Sequence, residues 1–160
     1  MTAVDVIERA LDAGILIESL TYVPQRGATE GELAKVAGDL RRPLSEGHAN
    51  ILRRWNGINL DVLRVHGASP SPGEIQGLAE VQSGPLADVH GTVVFGDDSS
   101  GFVYGETESG EVMSLDLASG QIKKIAASID DFFVRLVFGK DAAEFAGECW
   151  LDELKGAGIC

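Results

Sequence analysis

The first third of the chain repeats apolar side chains every three or four positions. Residues 3–12 have this spacing and predict a first helix. Thr29 and Glu32 have the spacing of a capping box in front of a second apolar stripe, and Ser45 is the predicted N-cap of a third helix. The chain therefore begins with three amphipathic helices, each with one face suited to a common core.

The second half follows a different pattern, in which short apolar runs alternate with polar residues and glycine-rich turns. Residues 58–65 predict an isolated strand after the third helix. A β-meander is predicted further on, with strands at 92–95, 102–104, 113–117 and 122–126. The turns between these strands contain Gly, Ser and Asp, which favour tight reversals of the chain.

A closing helix is predicted after the meander. Ser128 is its expected N-cap, with Asp131 at the reciprocal position. Its apolar stripe consists of Ile129, Phe132, Phe133, Leu136 and Val137. We therefore expect an α+β fold, a twisted and mainly antiparallel sheet packed by N-terminal and C-terminal helices, formed by residues 1–160 as a single domain. In this fold we expect Cys149, which precedes a tryptophan, to be a small core residue.

The distribution of charge along the chain gives information about function as well as fold. The chain carries a net charge of −12, and residues 65–122 contain no Lys or Arg. Nine carboxylates lie in that stretch: Glu74, Glu80, Asp88, Asp97, Asp98, Glu106, Glu108, Glu111 and Asp116. Such a field repels nucleic acid and anionic membranes and attracts basic partners. The alternative interpretation of the same charge is simple solubility.

Motifs for chemistry are weak by comparison. His48, His66 and His90 stand singly, without the spacing of a metal site. Asp97 and Asp98 lie in a Gly/Ser turn that lacks the acidic ladder of a calcium loop. There is no nucleophile elbow and no phosphate-binding glycine loop. We predict no catalytic residues, no metal and no cofactor, so the protein is expected to act by binding rather than as an enzyme.

Three segments in order resemble the SUKH superfamily, also called the SMI1/KNR4 family. They are Pro43-Leu44 before a helix that ends in Asn56-Gly57, the run from Val93 to Tyr104, and Ser128-Ile129-Asp130-Asp131-Phe132-Phe133. The family typically has Leu-Pro at the first of these, where this chain has Pro-Leu. The resemblance spans residues 30–155 and implies an α+β fold whose function is binding.

Many bacterial members of this family resemble immunity proteins that neutralise polymorphic toxins, often nucleases. The resemblance and the charge together predict a protein partner, a basic toxin domain, bound through an acidic patch. The predicted contact residues are Asp97, Asp98, Glu106, Glu108, Glu111 and Asp116. Three alternatives stay open: a regulatory scaffold that binds a cellular protein unrelated to toxins, carboxylates that only keep a sheet edge solvated, and an enzyme of unknown type, which a deep pocket with perturbed acids would favour.

The location of the protein is the last expectation from the sequence. The N-terminus, Met1-Thr2-Ala3-Val4-Asp5, lacks the basic start and apolar core of a secretory signal. No apolar run is long enough to span a bilayer. We therefore expect a cytoplasmic protein that contacts neither membrane nor nucleic acid, and the sequence leaves its oligomeric state open.

Overall fold

The computed structural model describes residues 1–89 and 91–160, so the prediction for His90 lies outside the described residues. Seven antiparallel strands form one sheet in chain order. They are β1 (Thr21–Tyr22), β2 (Ile58–Leu60), β3 (Arg64–Val65), β4 (Val93–Asp97), β5 (Phe102–Glu106), β6 (Val112–Asp116) and β7 (Ile122–Ala126). The coarse prediction of an α+β fold with a mainly antiparallel sheet is confirmed.

Helices precede and follow the sheet. They are α1 (Ala3–Ala13), α2 (Glu30–Leu40), α3 (Glu46–Arg54), α4 (Ile129–Asp131), α5 (Ala142–Ala146) and α6 (Glu148–Gly156), with a π-helix over Phe132–Val137. Short 3₁₀ turns occupy Glu18–Leu20 and Leu78–Glu80. None of the helices in the described part of the chain combines the length and the apolar character needed to cross a membrane.

The predicted helix starts are confirmed by their hydrogen bonds. The Thr29 hydroxyl accepts from the Glu32 backbone N–H at 3.1 Å, and the Glu32 carboxylate accepts from the Thr29 N–H at 3.1 Å. The Ser45 hydroxyl accepts from the His48 N–H at 3.2 Å. Each bond satisfies a backbone donor that the first helical turn leaves without a partner.

One predicted strand is wrong in extent. Residues 58–65 form two strands, β2 and β3, separated by a tight turn. Asp61 lies in that turn with a positive φ of 68°, a conformation that Asp tolerates better than most residues. The loose alternation along this segment therefore conceals a hairpin, and the hairpin brings Asp61 to the end of the sheet.

The two faces of the sheet are buried to different depths. Val93, Phe95 and Tyr104 point into the main core, which the helices cover. Val94 and Leu115 point to the other face, where they pack with Leu86 in a small second cluster. This alternation follows from the period of two along a strand. The helix-covered face of the sheet therefore carries the larger apolar cluster, and the other face carries the smaller one.

The closing helix differs from its prediction in geometry but not in burial. All five residues of the predicted stripe are buried, yet only Ile129–Asp131 is α-helical before the π-helix begins. Ser128 caps the helix through the Asp131 N–H at 3.0 Å. The reciprocal contact is not made, because Asp131 accepts from the Ala127 N–H instead.

Cys149 is exposed, so its predicted place in the core is wrong. Its neighbour Trp150 is the buried residue, and the indole Nε1–H donates to the Val137 carbonyl at 2.7 Å. The apolar context that suggested a core cysteine therefore belongs to the tryptophan. Cys160 is also exposed, and both thiols are free.

Candidate functional site

The six predicted contact residues divide between the two ends of the sheet. Consecutive antiparallel strands place alternate turns at the same end. Asp97, Asp98 and Asp116 therefore lie at one end, whereas Glu106, Glu108 and Glu111 lie at the other. The five residues of β5 separate these ends by about 13 Å. The expected single patch is corrected to two separate groups.

Asp97 is paired rather than free. It faces Arg64 across the β3–β4 ladder, and its carboxylate accepts from Nε at 2.9 Å and from Nη2 at 2.8 Å. This two-point geometry is the strongest form of an arginine–carboxylate contact, and the hydrogen bond raises the pKa of Arg64. His66 lies beside the pair, with its Nε2 atom 3.9 Å from Asp97 Oδ2, and burial lowers the pKa of His66.

Asp98 organises the β4–β5 turn. Its Oδ1 accepts from the backbone N–H groups of Ser100 at 2.9 Å and Phe102 at 3.1 Å. Its Oδ2 accepts from the Tyr104 hydroxyl at 2.6 Å. Burial of the phenol, followed by the Asp98 carboxylate, raises the pKa of Tyr104. Asp98 therefore has a structural role in addition to any role in binding.

Asp116 lies at the start of the β6–β7 turn. Its Oδ1 accepts from the Ala118 backbone N–H at 2.9 Å, an Asx-turn contact. That bond, together with contacts from Ser119, lowers the pKa of the Asp116 carboxyl group. The carboxylate is consequently ionised at neutral pH and directed to solvent.

The structure adds Asp61, which sequence reasoning missed. It lines a shallow cleft of about 210 Å³ at the same end of the sheet as Asp97 and Asp98. The residues around this cleft are Asn59, Asp61, Arg64, Asp97, Asp98 and Ser99. The signal that could have revealed the turn at Asp61 is the residue itself, because Asp favours turns and is uncommon within a strand. We call Asp61, Asp97, Asp98 and Asp116 the acidic end.

The prediction for Glu106 is the one that the structure contradicts most clearly. The residue is 1% exposed and cannot form part of a surface patch. Its Oε2 atom lies 3.7 Å from Nδ1 of His48, which is also 1% exposed. Burial raises the pKa of Glu106, and the Ser45 hydroxyl and the Arg42 guanidinium offset part of that rise. Burial lowers the pKa of His48 to about 4.

Arg42, in the connection between α2 and α3, contacts the strand that holds Glu106. Its guanidinium donates to the carbonyl of Gly91 and, at 3.1 Å, to the carbonyl of Glu106. It thereby ties the α2–α3 connection to the sheet. The buried atoms His48 Nε2 and Glu106 Oε2 have no hydrogen-bond partner among the described residues. We call Arg42, His48 and Glu106 the buried end.

The two remaining predicted residues lie in the β5–β6 turn region. Glu111 is paired with Lys124 across the strands, at 2.6 Å. Glu108 is exposed and, within the described residues, has no Lys or Arg nitrogen within 4.0 Å. Neither residue adds a carboxylate to the acidic end.

Metal binding is not supported by the residues that the structure describes. In residues 1–89 and 91–160, no three His, Cys, Asp or Glu side chains are gathered closely enough to hold an ion. His48 and His66 are both buried, and each has one ring nitrogen without a partner among the described residues.

Comparisons with known proteins leave the geometry as the main guide to function. No protein-family profile matches this chain, and no curated protein is significantly similar to it in sequence. The functional assignment therefore draws on the charges, contacts and turns described above together with the family resemblance of the sequence.

Proposed function

We propose that this chain is a non-catalytic protein-binding module of the SUKH type, an immunity protein that neutralises a basic toxin domain. The acidic end is the proposed contact surface. One observation carries the proposal: three turns place four aspartates at one end of the sheet. Asp61, Asp97 and Asp98 line one cleft, in which Arg64 is the one basic residue among those that the structure describes, and Asp116 lies in the turn after β6.

Charge compensation at the acidic end is incomplete. Arg64 pairs with Asp97, but Asp61, Asp98 and Asp116 have no Lys or Arg nitrogen within 4.0 Å in the described part of the chain. Three carboxylates therefore contribute an uncompensated negative field on a protein of net charge −12. Such a field accelerates encounter with a basic partner and disfavours acidic ones.

The rigidity of these turns also suits binding. Asp98 is held by three hydrogen bonds, and Asp116 by an Asx turn. Carboxylates fixed before a partner arrives lose less conformational entropy on binding than mobile ones. A nuclease toxin binds phosphates with Lys and Arg, so fixed carboxylates can occupy the same positions. The toxin assignment itself rests on the family resemblance, which is an analogy.

The experiment compares association rates with the secreted toxin domain encoded beside this gene. The test variant is Asp61→Asn with Asp116→Asn, which removes two charges from the acidic end. The matched control is Asp152→Asn with Glu153→Gln, two exposed acids on α6. We expect the association rate constant to fall by about three- to tenfold in the test variant at low salt, and to change little in the control.

Three outcomes decide the proposal. Equal association rates for the two double variants would remove the acidic end from the interface. Failure of the adjacent toxin domain to bind at all would reject the immunity function. Tight binding to a cellular protein unrelated to toxins, through the same end, would support the regulatory scaffold instead.

A further inference from the structure

The last strand of the sheet, β7, has an open edge. The sheet order runs from β1 to β7, so these two strands form its edges. β1 has two residues, whereas β7 has five and pairs only with β6. Ile122 and Ile125 are half-buried and Lys123 and Lys124 are exposed. The π-helix reaches the strand at Ile125 through Arg135, and among the described residues the edge over 122–124 pairs with no further strand. A long free edge can accept another strand.

The register identifies which backbone groups of β7 are free. The Asp116 N–H donates to the Gln121 carbonyl at 2.9 Å, which makes that facing pair a hydrogen-bonded one. Bonded and non-bonded pairs alternate in an antiparallel ladder, and the β6–β7 register is regular from Leu115–Ile122 to Met113–Lys124 before it shifts between Met113 and Val112. Over these three pairs we infer that Lys123 bonds to β6, whereas Ile122 and Lys124 direct their N–H and C=O groups outward. Arg135 binds the Ile125 carbonyl at 2.9 Å and ends the free stretch there.

A cleft of about 280 Å³ lies beside this edge on the helix-covered face of the sheet. Phe102, Leu136 and Phe145 supply its apolar walls. Ser114, which is 3% exposed, lines the same cleft and faces Lys123 across the ladder. Lys123, Lys124 and Ile125 also line the cleft, so a strand added to β7 would run along its rim.

Charge decides which kind of strand fits. Lys124 is paired with Glu111, but Lys123 has no carboxylate oxygen within 4.0 Å among the described residues. Pairing β7 with a second copy of itself would bring the lysines of both copies close together, which is unfavourable. An acidic strand would instead place carboxylates beside the lysines of β7, which is favourable. Glu144 also lines the cleft and Lys124 is already paired, so the charge that favours an acidic strand at this edge is that of Lys123.

We propose that the β7 edge binds an extended acidic segment of another protein, which adds an eighth strand to the sheet. Outward groups of Ile122 and Lys124 supply the backbone hydrogen bonds, and Lys123 pairs with a carboxylate of the segment. One apolar side chain of the segment enters the cleft beside Phe102 and Phe145. This mode of recognition combines ladder bonds for affinity with a pocket for specificity. The surface consists of residues other than those of the acidic end and does not depend on the toxin assignment.

The probes are three labelled nonapeptides titrated against ¹⁵N-labelled full-length protein. The first alternates Glu and Val and has a central Phe, the second replaces every Glu by Lys, and the third keeps the acidic sequence but carries N-methyl groups on alternate amides. We expect only the first to shift the amide resonances of 122–126 and to slow hydrogen exchange at Ile122 and Lys124.

Variants separate the charge from the cleft. Lys123→Glu should weaken binding of the acidic peptide by about tenfold, and more at low salt than at high salt. Ser114→Leu should fill the cleft and weaken binding while the other β7 resonances remain unchanged. Lys155→Glu, an exposed lysine on α6, is the matched charge control and should leave the affinity unchanged.

Several results would overturn the proposal. Equal binding of the acidic and basic peptides, or shifts that map away from β7, would exclude recognition at this edge. A third decisive result is dimerisation of Lys123→Ser with Lys124→Ser, combined with no peptide binding to the parent protein. In that case the lysines only protect the edge from self-association.

Discussion

The two ends of the sheet place the same chemical group in opposite environments. At the acidic end, Asp61 and Asp116 are half-exposed in turns and have no Lys or Arg nitrogen within 4.0 Å among the described residues. At the buried end, Glu106 lies beneath Arg42 and beside His48 with 1% exposure. The acidic end provides a field for a partner, whereas the buried end holds helices to strands. A carboxylate count along the chain does not distinguish these roles.

The difference originates in the position of each residue relative to the helical layer. Glu106 has the same strand parity as Phe102 and Tyr104, and therefore points to the helix-covered face. Arg42, from the α2–α3 connection, reaches that face and donates to two carbonyl groups. The cleft at the acidic end is lined, among the residues that the structure describes, by strand and turn residues and by none from a helix. Four predictions test this contrast, in order of expected effect.

The largest effect is expected for Arg42→Ala. Removing the guanidinium leaves two carbonyl groups without their donor and a buried carboxylate without its nearest cation, so the free energy of unfolding should fall by about 3 kcal/mol. Arg41→Ala is the matched control, because Arg41 is exposed and adjacent. Urea unfolding of both variants measures the difference. Equal losses would show that Arg42 does not stabilise the buried end.

The second prediction concerns pH. The unfolded chain protonates His48 near pH 6.5, but burial lowers the folded pKa to about 4. Between these values the unfolded state binds more protons, so stability should fall as the pH falls, by about 3 kcal/mol. The raised pKa of Glu106 acts in the opposite direction, because protonation then favours the folded state.

His48→Gln provides the measurement for this pH effect. The difference in unfolding free energy between parent and variant should shrink as the pH is lowered from 6.5 toward 4, since only the parent carries the buried imidazole. Chemical denaturation at several pH values gives the curve. A constant difference across this range would contradict a buried, neutral His48.

A smaller effect is expected for Asp98→Ala at the acidic end. The change removes two turn hydrogen bonds and the acceptor of the Tyr104 hydroxyl, and should cost about 1–2 kcal/mol of unfolding free energy. Tyr104→Phe should lose about 1 kcal/mol, and the double variant should lose less than the sum because the two residues share one bond. Additive losses in thermal unfolding would argue against the coupling.

The smallest stability effect is expected for Asp61→Asn. Asn accepts the positive φ of this position, and the carboxylate has no cationic partner to lose, so unfolding free energy should change by less than about 0.5 kcal/mol. Thermal unfolding at constant pH tests this. A loss as large as that of Asp98→Ala would show that Asp61 holds the turn rather than presenting a free charge.

Local patterns predicted much of the fold correctly. The capping box at Thr29, the Ser45 cap and strand β7 occupy the predicted places. Each depends on interactions within a few residues, which a linear pattern contains. The hairpin at Asp61 was missed because strands of three and two residues carry too little alternation to be told apart. The buried cysteine was wrong because its neighbour Trp150 explains the apolar context.

For the candidate site, the sequence predicted that acidic residues are present but not where the fold places them. The sequence by itself determined that the chain is acidic, that a meander follows three helices, and which residues begin the helices and fill the apolar stripe of the closing segment. Only the tertiary structure decided that six predicted carboxylates separate into two groups, that Glu106 is enclosed, and that Asp61 joins Asp97 and Asp98. Caps and strand parity are set by neighbours along the chain. The environment of a charge depends on residues far away in sequence, such as Arg42 and Glu106, which meet only when helices cover the sheet.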